Sequence, residues 1–179
     1  MKSNPTHQMR QVLTGVLLAS LIGAAQAEEA LPEYTFLDSV KAGKNMTSFR
    51  LRYEHVDQEG KAEKGNAFTL RSLIGWQTAP FHNFSIGAQI IDVSKFENRY
   101  DDRALGVAEP GKGQHPIIVD PDNTDINQLY VDWTGIRNTK FRVGRQQINL
   151  DNVRFIGDIG FRQVMQVFDG ISIMNKSIP

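Results

Sequence analysis

Apolar and polar residues alternate along six separate stretches of the chain, and this period-two pattern constrains the fold more than any other feature. In SFRLRYEHV, for example, Phe49, Leu51 and Tyr53 alternate with the charged residues Arg50, Arg52 and Glu54. The stretches are residues 48–56, 67–78, 84–92 and 127–134, one that begins near Lys140, and residues 168–175. Side chains of a β-strand point alternately to the two faces of a sheet. Since no comparable helical period occurs, we predict an all-β, antiparallel fold of about six strands.

The connections between these stretches alternate in length, which favours a transmembrane β-barrel. Long polar connections (residues 57–66 and about thirty residues from Val93 to Ile126) alternate with short ones (residues 79–83 and 135–139). Outer-membrane barrels have short periplasmic turns and longer external loops. A soluble β-sandwich is the alternative. Arginines on the polar face and aromatic residues near strand ends on the apolar face favour the barrel.

The N-terminus has the layout of a secretory signal peptide. Basic Lys2 and Arg10 precede an uncharged run, VLTGVLLASLIGAA, which ends at a small-x-small site, Ala25 to Ala27. The run is shorter than the roughly 20 apolar residues that span a bilayer. We therefore predict a cleavable signal peptide over residues 1–27, an N-terminal periplasmic lead-in over residues 28–46 and a β-barrel segment over residues 47–179.

Charge and cysteine content limit the partners that the exported chain can have. The sequence contains 20 basic and 20 acidic side chains, so losing Lys2 and Arg10 leaves 18 and 20, a net charge of −2. That balance does not provide the basic footprint of a nucleic-acid-binding protein. An exported chain without cysteine has no disulfides to stabilise it. Closed backbone hydrogen bonding stabilises outer-membrane barrels instead.

Three motifs near the C-terminus, with a fourth near the mature start, resemble the alginate-export family of outer-membrane barrels. They are GRQ (residues 144–146), NLDNVRF (149–155), FDG (168–170) and FRLRYE (49–54). The similarity covers most of residues 48–175. It implies a large, many-stranded barrel that passes anionic polysaccharide or other solutes, without specifying alginate as the cargo. About six strands is fewer than the eight that the smallest barrels use, so we expect an N-terminal part of a larger barrel.

Arginines on the polar face are candidates for lining the pore. Strand parity places four of them there: Arg50, Arg52, Arg71 and Arg142. Charge on the lipid face would cost about 2–4 kcal/mol at mid-membrane, and anion pores are built from rings of Arg or Lys. A bulge at Gly144 would turn Arg145 into the lumen as well. The segment that follows is expected to fold back into the pore, where Arg154 and Arg162 would line a constriction. Solvated loop arginines, or pairs with Asp151 and Asp158, are the alternative.

Other motifs carry less chemistry. Asp120, Asp122 and Asp125 have a spacing similar to that of a calcium loop, but the glycine and distal glutamate of an EF-hand are missing, so an acidic external loop is the simpler interpretation. His55, His82 and His115 have no catalytic partner in the sequence. We predict no enzyme activity, metal or cofactor.

Together these patterns predict a porin-like channel of the Gram-negative outer membrane that passes anionic or polar solutes, with polysaccharide export as one form. Its expected partners are outer-membrane lipid, the solutes and the barrel assembly machinery. A barrel acting as a surface scaffold or adhesin is the main alternative, and an enzymatic barrel is the third.

Overall fold

The structure is a computed structural model that describes residues 33–103 and 106–177; the predicted signal peptide lies outside the described residues. Contacts divide the chain into two units, residues 1–33 and 34–179, and the elements of the described residues belong to the second. They are α1 (Phe36–Lys41), β1 (Lys44–Asn45), β2 (Ser48–Val56), β3 (Gly65–Gln77), β4 (Phe84–Arg99), β5 (Asn123–Ile136), β6 (Thr139–Gln146), a short 3₁₀ turn (Asp151–Val153) and β7 (Phe168–Asn175). Among these residues, no helix has the length and apolarity needed to cross a membrane.

All seven strands belong to one antiparallel sheet, which confirms the predicted all-β fold. Strands β3 to β7 are hydrogen-bonded in chain order, and both β1 and β2 pair with β3. Asn45 opposite Trp76 and Ser48 opposite Leu73 share one register, so β1 and β2 act as one interrupted strand. Pairing therefore begins at Lys44, inside the segment predicted as a lead-in. The sheet is not closed within the described residues.

Strands β4 and β5 are longer than the alternation predicts. The prediction ended the third strand at Asp92 and began the fourth at Asn127, but β4 continues to Arg99 and β5 begins at Asn123. The register shifts between Phe68 and Thr69 in the β3–β4 pair and between Gln89 and Ile90 in the β4–β5 pair. A bulge adds one residue and reverses the apparent parity beyond it. This reversal hides residues 96–99 of β4 and residues 123–126 of β5 from a period-two search.

The two faces of the sheet differ in chemistry and in exposure. We call the face covered by the β6–β7 loop (residues 147–167) the inner face; it carries the polar side chains of each strand. The outer face is largely apolar and uncovered, and several large side chains on it are more than half exposed: Phe49 66%, Leu51 60%, Tyr53 61%, Ile171 76% and Ile173 64%. Contiguous exposed apolar surface of this kind marks a membrane or protein contact.

Loops at one end of the sheet are long and contact one another. Residues 57–64, 100–122 and 147–167 connect strands at this end, and residues 78–83 and 137–138 connect them at the other. The amide of Glu63 donates to the carbonyl of Gln114 at 3.1 Å. The Lys61 ammonium donates to the carbonyl of Gly113 at 2.8 Å. The predicted alternation of loop lengths is therefore present.

The buried apolar residues form two clusters at the inner face. Ala67, Tyr100 and Ile118 form one, where the 100–122 loop begins and ends. Leu73, Ile91 and Val93 form the other, and Val164 and Met165 of the β6–β7 loop pack against it. This second contact holds the β6–β7 loop to the inner face. That the loop folds back into a pore stays a prediction, because the sheet is not closed within the described residues.

The predicted bulge at Gly144 is wrong. Tyr130 pairs with Gly144 and Leu129 with Arg145 without interruption, and the β6–β7 register is also continuous through Gly144. The glycine is required for another reason. Its φ is +124°, and a Cβ there would lie 2.2 Å from the carbonyl oxygen of Leu129. Glycine therefore permits a close approach of two strands.

Helix α1 packs against the C-terminal end of β3. Thr35 and Asp38 form a reciprocal capping box, in which each side chain accepts a hydrogen bond from the other residue's amide. The buried Ser39 hydroxyl donates to the carbonyl of Ala79 at 2.6 Å. The Trp76 indole donates to the carbonyl of Val40 at 2.8 Å, so the helix is held against the β3–β4 turn.

Candidate functional site

Four predicted pore-lining arginines lie on the inner face of the sheet. Arg50, Arg52, Arg71 and Arg142 occupy positions of β2, β3 and β6 whose side chains point to the covered side. Arg50 and Arg71 are directly opposite each other in the β2–β3 pair. Like charges in that position repel, so other groups must stabilise them.

Backbone carbonyls of the β6–β7 loop supply that stabilisation. Arg50 donates from Nη1 to the carbonyl of Gly160 and from Nη2 to that of Phe161, both at 2.5 Å. Arg52 donates to the Phe161 carbonyl at 2.5 Å. Arg71 Nη1 lies 3.4 Å from the carbonyl oxygen of Arg162. Three guanidinium groups of the sheet wall thus hold three consecutive carbonyls of the loop.

A fully buried glutamine fixes the next position of the loop. Gln163 is 0% exposed. Its backbone amide donates to Asp120 Oδ1 at 2.9 Å. Its side-chain amide donates to Thr69 Oγ1 at 2.8 Å and to the Thr69 carbonyl at 3.2 Å. Gln163 therefore joins the β6–β7 loop to β3 and to the end of the 100–122 loop.

The arginines differ in how their charge is compensated. Arg52 forms ion pairs with Glu54 and, at 3.4 Å, with Asp120. Arg162 pairs with the same Glu54 at 3.2 Å. Within the described part of the chain, Arg50 and Arg71 have no carboxylate at ion-pair distance, and the buried Nε of Arg71 has no hydrogen-bond acceptor. Two cationic groups at the centre of the site are therefore held by neutral oxygens.

Arg142 is already neutralised. It donates from Nε to Asp132 Oδ1 at 2.6 Å and from Nη2 to Oδ2 at 2.8 Å, a bidentate pair. Its guanidinium carbon lies 3.4 Å from the centre of the Tyr130 ring. That ring covers Gly87, where an added Cβ would lie 2.3 Å from Tyr130 Cζ. Arg142 is therefore part of a rigid stack on the wall and contributes little free positive charge.

Two of the predicted arginines are not brought to this cluster. With no bulge at Gly144, Arg145 remains on the outer face with Val143, and its Nη2 pairs with Asp169 at 2.9 Å. The prediction that Arg145 turns into the lumen is corrected for that reason. Arg154 is exposed directly after the 3₁₀ turn, where its guanidinium carbon is 5.8 Å from the centre of the Phe155 ring. Arg162, by contrast, is brought to the inner face as predicted.

The acidic residues of the 100–122 loop and the start of β5 bind separate protein partners. Asp120 accepts from Gln163, Asp122 accepts from the Lys95 amide at 3.0 Å, and Asp125 lies 3.4 Å from Arg145. Within the described ranges, no group of three or more His, Cys, Asp or Glu side chains is arranged to hold a metal ion. The Tyr100 hydroxyl donates to the Asp120 carbonyl at 2.6 Å, and burial, together with nearby Asp120, raises the pKa of this phenol. These contacts make the loop a support for the arginine cluster.

Sequence reasoning missed Gln163, Thr69 and Lys95. Lys95 is nearly buried on the inner face and pairs with Asp102. Thr69 lies between Phe68 and Leu70 in β3, and strand parity alone places its side chain on the polar face. No local signal distinguishes Gln163 from Gln166, because its importance comes from a contact 94 residues away in the sequence.

Comparison with known proteins agrees with the resemblance that the motifs indicate. A family model described as alginate export matches residues 44–176, which is most of the chain. The match begins at the first residue of β1 and ends one residue after β7. A search of curated proteins found no match.

Proposed function

The chain belongs to the alginate export family, and on that basis we propose that it forms the wall of an outer-membrane channel for anionic or polar solutes, including anionic polysaccharide. In this proposal the outer face contacts lipid, the inner face borders a water-filled lumen, and solutes pass by diffusion without an enzymatic step. The chain reaches the outer membrane through its signal peptide and the barrel assembly machinery.

The observation that carries the proposal is the pair Arg50 and Arg71. Both lie on the inner face, and neither is paired with a carboxylate in the described residues. Uncompensated positive charge in a confined space raises the local concentration of anions. Arg142 and Arg52 add less, because Asp132, Glu54 and Asp120 offset their charge.

Reversal potentials across a salt gradient in planar bilayers test this function. We expect the exported protein to prefer anions at low salt. Most of that preference should be lost near 1 M, because the screening length falls from about 10 Å at 0.1 M to about 3 Å. Replacing both Arg50 and Arg71 with Gln should weaken the preference. Arg145→Gln is the control, since it removes a positive charge from the outer face and leaves the inner face unchanged. A cation preference in the parent channel would contradict the proposal.

A surface scaffold is the second candidate, and the covering of the inner face by the β6–β7 loop favours it. Val164 and Met165 pack on Leu73, Ile91 and Val93, which places protein where a wide pore would be open. A scaffold barrel would be blocked. Absence of ion conductance from correctly inserted protein would support the scaffold and exclude the channel.

A further inference from the structure

The β6–β7 loop is held to the inner face by two kinds of contact. Residues 163–165 are anchored by buried groups: Gln163 binds Thr69 and Asp120, and the next two residues pack in an apolar cluster. Residues 160–162 are held by their carbonyl oxygens alone where they meet Arg50 and Arg71. We call residues 163–165 the anchor and residues 160–162 the latch.

The two contacts respond differently to an anion in the lumen. The anchor contains no cationic donor, so an added anion has nothing to bind there. The latch uses guanidinium donors whose best partners are carboxylate, sulfate or phosphate oxygens, because those acceptors add opposite charge and bidentate geometry. The carbonyls of Gly160 and Phe161 satisfy the hydrogen bonds of Arg50 without neutralising it.

The part of the loop before the latch has little to hold it in place. Phe155 is 79% exposed and Ile159 is 45% exposed. Asn149 and Asp158 bind each other, so this contact moves with the loop. The latch also has the Arg162–Glu54 pair, at 3.2 Å. An anionic group of the solute can take Arg162 from Glu54, because it offers Arg162 the same kind of acceptor.

We propose that the β6–β7 loop is a cargo-released strap: anionic groups of the solute take the Arg50, Arg52 and Arg71 donors from the carbonyls of residues 160–162, and the strap swings aside about its anchor. The inference rests on the proposed channel function and adds its regulation. The same arginines then attract the cargo and hold the strap in place until the cargo binds them. A neutral solute of equal size has no means of releasing the strap.

Distances between spin labels in the reconstituted protein test the strap. Because the sequence contains no cysteine, Leu51→Cys and Phe161→Cys introduce two defined sites in this chain, one on the wall and one on the latch. Phe161→Cys keeps the carbonyl that binds the arginines. We expect a hexameric uronic acid oligosaccharide to add a longer-distance population, and a neutral hexasaccharide to leave the distribution unchanged. A second pair, Leu51→Cys with Gln166→Cys, should show no change with either sugar, since Gln166 is exposed and lies next to the anchor.

Variants define the role of the arginines. Arg50→Gln together with Arg71→Gln should produce the longer distance without any sugar, whereas Arg145→Gln should behave like the parent. Equal responses to the charged and neutral sugars would overturn competition as the mechanism. No response in a channel that prefers anions would overturn the strap and leave the proposed function intact. A channel that prefers cations would overturn both.

Discussion

Two arginine–aspartate pairs of β6 show how surroundings determine what a residue contributes. The Arg142 and Asp132 side chains are 13% and 3% exposed, and they are bound in bidentate geometry on the inner face. The Arg145 and Asp169 side chains are 31% and 68% exposed on the outer face. Removing one partner of a buried pair leaves an uncompensated charge, whereas exposed pairs contribute little.

We therefore predict that Asp132→Asn destabilises the protein by roughly 3 kcal/mol, the lower end of the range for breaking a buried pair. The lower end applies because Arg142 retains some contact with water. Asp169→Asn, the matched control, should leave stability almost unchanged. Urea unfolding in lipid, followed by tryptophan fluorescence, measures both. Equal losses in the two variants would contradict the assignment of the two faces.

At the scale of elements, the β6–β7 loop is positioned by one buried side chain. Gln163→Ala removes the donor to Thr69 and leaves buried acceptors unsatisfied, at a cost of about 1–3 kcal/mol to the docked state of the loop. We expect faster amide hydrogen exchange in residues 147–167 and a higher single-channel conductance. Gln166→Ala is the control, because that side chain is exposed. Unchanged exchange in Gln163→Ala would show that apolar packing and the arginine contacts hold the loop without this side chain.

Strand β7 provides a direct test of the two faces. Ile173 and Met174 are neighbours with similar exposure, 64% and 50%, but their side chains point to opposite faces. In a membrane, Met174→Cys should react with a water-soluble, membrane-impermeant thiol reagent, and Ile173→Cys should be protected by lipid. In detergent-free denatured protein both should react. Equal labelling of the two sites in the membrane would contradict the bilayer-facing outer surface.

At the scale of the whole molecule, we expect export to precede folding. We predict cleavage after Ala27, so that Glu28 is the first residue of the exported protein. N-terminal sequencing of the membrane fraction determines this. Ala27→Leu should block processing, because the site requires a small side chain, and Gln26→Leu should not. Finding Met1 on protein inserted in the outer membrane would refute the signal-peptide assignment.

Local chemistry was sufficient to identify six of the seven described strands and the faces of most of their residues. Residues 48–56 and 168–175 were predicted with the bounds that β2 and β7 have, because alternation is a property of adjacent residues. The inward positions of Arg50, Arg52, Arg71 and Arg142 followed from the same parity. The family motifs indicated that these strands belong to a barrel. The family match over residues 44–176 confirmed the resemblance.

Register and partners depended on contacts between residues distant in the chain. The bulges in β4 and β5 are defined only by the pairing with a neighbouring strand. A bulge assigned from Gly144 alone was wrong for that reason. Whether an arginine is free or neutralised depends on which carboxylate faces it, as Asp132 faces Arg142. The carbonyls that hold Arg50 lie 110 and 111 residues away. Every residue has the same backbone carbonyl, so the type of residue at a position gives no signal for that contact. Only the folded path of the loop brings these carbonyls to the guanidinium.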